Sequence, residues 1–147
     1  MKKIFTKLLV LLVVVASGMV LTGCEKNNAK NIVGKWKLVS VSQEIKIGDQ
    51  VVKSGTGMLS YSLIYVFNSD GTLEQITDYG EGEVSVTGLY TLDNNKLILR
   101  DSTVPGSLIL EVTELTAKKL VLTNVETETE EGKIATITSS QEFEKMN

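Results

Sequence analysis

The chain has 147 residues, with 15 Lys plus Arg against 18 Asp plus Glu, a formal charge of −3 and no histidine. That length suits one domain. With no imidazole and a single thiol, Cys24, the Ser-His-Asp and Cys-His nucleophile arrangements, internal disulfides and thiolate- or imidazole-rich metal sites are all excluded. An acidic chain with one arginine, Arg100, carries no basic footprint for nucleic acid.

In chain order the first segment reads as an export address. Lys2, Lys3 and Lys7 precede an apolar stretch from Leu8 to Ala16, and Leu21-Thr22-Gly23-Cys24 closes it. The unbroken apolar run is shorter than a spanning helix needs, and Ser17, Gly18, Thr22 and Gly23 interrupt its end. The box is similar to that of bacterial lipoproteins. The resemblance implies that the Cys24 thiol takes a diacylglycerol and that residues 1–23 are removed as a signal peptide, with three lysines and no acid lost. Diacylglycerol plus an amide-linked chain would anchor the protein permanently. Residues 24–31 then form the lipidated cysteine and a polar tether spanning at most about 25 Å. Glu25 after the cysteine, where inner-membrane retention favours Asp, points to the outer membrane of the cell envelope more than to the inner.

Residues 32–147 are the folded domain. Short runs of alternating apolar residues fall at 33–47, 58–68, 72–79, 83–92, 96–102, 107–114, 119–126 and 133–144, and no stretch of ten or more carries a helical period. The cuts between them hold turn formers: Ser69-Asp70-Gly71, Gly80-Glu81-Gly82, Asp93-Asn94-Asn95, Pro105-Gly106 and Glu130-Glu131-Gly132. This predicts an all-β domain of eight antiparallel strands, sequence neighbours pairing, closed as a meander barrel or stacked as two sheets. Alternation puts Tyr61, Leu63, Tyr65 and Phe67 on one inward face, Val84, Val86, Tyr90 and Leu92 on a second, and Leu108, Leu110 and Val112 on a third.

The first run opens with Gly34-Lys35-Trp36-Lys37-Leu38 after Asn31-Ile32-Val33, a stretch able to make one helical turn. A lone tryptophan there, behind a glycine that admits another backbone, suits a core plug whose indole N–H finds a partner. With Tyr65-Val66-Phe67-Asn68-Ser69-Asp70-Gly71-Thr72, Gly88-Leu89-Tyr90-Thr91-Leu92 and the Leu-rich runs at 97–99 and 120–122, the order of motifs over residues 32–144 resembles the bacterial lipocalin-like lipoproteins. The resemblance implies a barrel plugged by Gly34 and Trp36, and a basic side chain from the last strand stacked on the indole. Arg100, the one arginine, lies in a middle run and suits a solvated ion pair, for instance with Asp101, better than that stacking role. Thr77-Asp78-Tyr79 copies a second lipocalin motif but comes too early, and no amphipathic helix follows Phe143, so the retinoid-type ligands of full-length lipocalins are not carried over.

No catalytic group stands out. Glu81 and Glu83 suit a turn and a wet strand face rather than an acid–base pair. Glu126, Glu128 and Glu130, at i, i+2, i+4, share a strand face but lack the glycine-punctuated loop of a calcium site. Neither enzymatic activity, a cofactor nor a metal is expected. The stretch from Gly48 to Gly57 lacks alternation and reads as a loop, mobile enough to cover a barrel mouth. Two functions follow. One is a membrane-anchored protein binding a small apolar ligand in a pocket of Tyr61, Tyr65, Phe67, Gly88 and Tyr90. The other is a structural or partner-binding envelope lipoprotein with a filled barrel.

Overall fold

The structure, a computed structural model, describes residues 30–57, 59–103, 105–130 and 132–147, the Glu130 side chain excepted. The export segment, Cys24 and most of the tether lie outside the described residues. After a helical turn at 30–32, nine strands follow: β1 (Gly34–Ile47), β2 (Gln50–Gly57), β3 (Ser62–Phe67), β4 (Thr72–Asp78), β5 (Glu83–Asp93), β6 (Lys96–Asp101), β7 (Leu108–Leu115), β8 (Lys119–Glu130) and β9 (Lys133–Lys145). All pairings are antiparallel, in the order β2-β1-β3-β4-β5-β6-β7-β8-β9, and β1 also pairs with β9. Strands β1 and β3–β9 therefore close an eight-stranded barrel, and closure removes its free edges.

The strand missing from the sequence reading is β2, which occupies the stretch expected to be a loop. It lies along the outer edge of upper β1, Val41 opposite Gly57 and Ile47 opposite Gln50, rather than over the mouth. Every β2 residue is exposed, so neither face needs an apolar stripe and no alternation marks it.

β1 pairs with β3 only from Gly34 to Lys37, and β8 with β7 only up to Thr123. A register shift at Val39 bends β1 at this level. Beyond it, upper β8, β9 and β1 continue with β2 as a four-stranded wall about 20 Å tall, at roughly 3.3 Å per residue. Its inner face carries Asn124, Glu126 and Glu128 of β8, Ser139, Ile137 and Ala135 of β9, and Gln43, Ile45 and Ile47 of β1.

The core sits in the lower barrel. Trp36, Leu38, Phe67, Leu97, Leu120, Leu122 and Phe143 are fully buried, supplied as alternate residues of β1, β3, β6, β8 and β9. Among the described residues every side chain of the core cluster comes from Ile32 to Phe143, so this portion carries a core of its own. Among the described residues no helix is long and apolar enough to cross a membrane.

Candidate functional site

The closed end is built on Trp36. Its indole N–H donates to the Ile32 carbonyl at 2.7 Å, which ties the N-terminal turn across the barrel base. The basic side chain above the ring is Lys145 of β9, not Arg100: Lys145 Nζ lies 5.0 Å from the ring centroid and donates to the Asn31 carbonyl at 3.1 Å. Strand pairing explains the choice, because Trp36 and Lys145 are direct register partners. Gly34 has φ +132°, and a Cβ there would come within 2.6 Å of Lys145 Cε, so the glycine leaves the channel through which the lysine reaches the indole. Arg100 is exposed on β6 and joins none of the ion pairs among the described residues, which link Lys46 with Glu44 and Lys119 with Glu114 and Glu142.

Above this base the aromatic rings run on from Tyr90 through Phe67 and Tyr65 to Phe143, with Tyr61 and Tyr79 as a further pair. Phe67 is buried and meets Tyr90 edge-on at 4.9 Å, while the Tyr90 hydroxyl donates to the Asn68 carbonyl at 2.8 Å in the β3–β4 turn. Tyr65 stacks on Phe143 at 5.3 Å, and Tyr61, half-buried, packs against Tyr79 at 5.8 Å. Burial, assisted by neighbouring Tyr61, pushes the Tyr65 phenol up to about 12. Across the barrel Gln141 points inward in the row above Phe143, and its carboxamide oxygen is buried without a partner among the described residues.

A cavity of about 390 Å³ opens between the upper parts of β4, β5 and β6. It exists because β5 pairs with β6 only from Gly88 onward, leaving Glu83–Thr87 without a neighbour on that side. The split is bridged at one point, where the Ser102 hydroxyl donates to the Thr87 carbonyl at 2.7 Å. Leu73, Val86, Leu99 and Leu108 give apolar walls, with Tyr65 and Gln75 inside and Asp101 and the Pro105–Leu108 segment at the rim. Of the five pocket residues expected from sequence, the structure sets Tyr65 and Gly88 on this cavity. Phe67 and Tyr90 pack together towards the closed end, and Tyr61 pairs with Tyr79.

Gly88 leaves no room for a larger side chain. A Cβ at this position would overlap the Arg100 carbonyl oxygen, so the glycine is what lets the β6 backbone approach. Leu73, Val86, Leu99 and Leu108 were within reach of alternation, since each sits in an inward stripe; Asp101 and the 105–107 segment lie where alternation ends and carried no such signal. Asp101 Oδ1 accepts from the Thr103 N–H and hydroxyl, both at 2.6 Å, and these bonds hold its carboxyl below the usual carboxylate range. Glu81 lies in the exposed β4–β5 turn and Glu83 opens β5, also exposed. Glu126 and Glu128 face the inside of the wall rather than outward from the barrel.

A closed antiparallel barrel, plugged at one end by tryptophan and opening over a cavity at the other, is a cup of the lipocalin type. The chain belongs to the lipocalin-like domain family, whose model matches residues 32–122. Among solved structures it is similar to a lipocalin-like protein from Bacteroides uniformis, with 19% identity, 79% of this chain and 99% of that one covered, and a TM-score of 0.49. A protein from Bacteroides eggerthii gives 20% identity, 78% and 98% coverage and 0.47. Bovine odorant binding protein, in complex with a selenium-containing odorant, gives 18% identity, 82% and 73% coverage and 0.42. No curated protein matches the chain.

Proposed function

We propose that this protein is a lipid-anchored, non-enzymatic binding protein of the bacterial cell envelope, more fittingly of the outer membrane than the inner, whose barrel holds a small apolar molecule. The observation that carries the ligand reading is the cavity of about 390 Å³ walled by Leu73, Val86, Leu99 and Leu108. An eight-stranded barrel has room for one small guest only where inward side chains leave it, and here the fully buried aromatics Trp36, Phe67 and Phe143 fill the base. The test is saturable uptake of the fluorescent probe N-phenyl-1-naphthylamine by the chain from Glu25 to Asn147. Val86→Trp, which places an indole in the cavity, is expected to abolish uptake at unchanged fold; no saturable uptake by the parent overturns the reading.

Anchoring rests on the Leu21-Thr22-Gly23-Cys24 box. Cells expressing the full chain should incorporate a palmitate analogue into it, and Cys24→Ser should lose the label; a labelled Cys24→Ser chain argues against the anchor. The partner-binding reading draws on exposed Ile47, Val51, Val52 and Ile134 at the tip of the wall. It stands second because a filled barrel is part of it, and the cavity speaks for the ligand.

A further inference from the structure

We propose that the cavity selects ligands with a cationic head, a small alkyl amine rather than an acid or alcohol, with Asp101 as the counter-ion; this rests on the ligand reading above. Among the described residues around the cavity Asp101 is the only carboxylate. It pairs with Gly88, which stands between inward-facing Val86 and Tyr90, so it belongs to the inner row of β6. Arg100, the one cation among the described residues on the rim, pairs with exposed Leu89 and follows the outer row.

Thr103 uses Oδ1 of Asp101, and among the described residues no hydrogen bond or ion pair engages Oδ2. The two Thr103 donors also favour the ionised carboxylate, so the charge persists well into mild acid. A cation entering the mouth therefore meets an oriented carboxylate at the edge of an apolar chamber, the arrangement that holds an amphipathic amine head-out and tail-in.

Octylamine, octanol and octanoate are compared as competitors of N-phenyl-1-naphthylamine on the chain from Glu25 to Asn147. Octylamine is expected to bind about fivefold more tightly than octanol, and octanoate most weakly, with the amine's advantage shrinking in high salt. Asp101→Asn keeps an oxygen for Thr103 while removing the charge. It should treat amine and alcohol alike, whereas Glu144→Gln at the closed end should keep the preference. Uptake without an amine preference, or a preference that survives in Asp101→Asn, overturns this inference and leaves the apolar-ligand reading standing. Absence of all uptake overturns both.

Discussion

Tyr65 joins the packed base of the barrel to its cavity, and its surroundings make it a pH-sensitive part of the fold. Its ring lies on Phe143, and its phenol is pushed up to about 12 by burial and by Tyr61. In the unfolded chain the same phenol ionises near its ordinary value of about 10. Between those values the unfolded state has lost the proton that the folded state keeps, so unfolding becomes easier as pH rises. The stability present below pH 10 is lost through that window, by an amount on the order of 2 kcal/mol. Urea unfolding at stepped pH should show this fall, and Tyr65→Phe should flatten it; an unchanged slope in the variant would assign the loss to another group. Tyr65 was legible as an inward residue from alternation alone, but its place on the cavity was not, because that depends on where β5 and β6 part.

Among the elements, β2 and its neighbours differ in what holds them. The strands of the lower barrel bury alternate side chains, each contributing roughly 2 kcal/mol through burial, and that requirement wrote the alternation from which they were read. β2 is held to β1 by its backbone ladder alone, with every side chain exposed. Upper β8, with its Thr and Glu from Thr127 to Glu130, is likewise paired beyond the point at which the sequence pattern ends. Strands whose bonds lie open to water exchange by local opening rather than global unfolding. Backbone amides of β2 should therefore exchange at least about 100-fold faster than those of Trp36, Leu38 and Phe143 in the same sample. Equal protection throughout would mean that the wall and the barrel open only together.

On the scale of the molecule, the barrel is closed by strands from opposite ends of the folded domain, and that closure was the part hardest to read. The basic residue over Trp36 is chosen by β1–β9 register, not by residue type: Lys145 stands opposite the indole, while Arg100 lies on β6, across the barrel. Local pattern yields strands and turns, but which strand end meets which is decided only when the sheet curls round. The same closure concentrates the fold's dependence on a short C-terminal piece. Phe143 is fully buried against Tyr65, Lys145 fixes the N-terminal turn, and Met146 donates its N–H to the Lys35 carbonyl at 2.8 Å. Removing residues 141–147 deletes all three and exposes the edges of lower β1 and β8 at once, so the shortened chain should lack a cooperative thermal transition. Removing only Met146 and Asn147 deletes one backbone bond at the closed end and should lower stability by about 1 kcal/mol, read from the urea midpoint. If the chain ending at Ser140 still melts cooperatively, β9 is not what closes the barrel, and the clamp on Trp36 is an ornament rather than part of the fold.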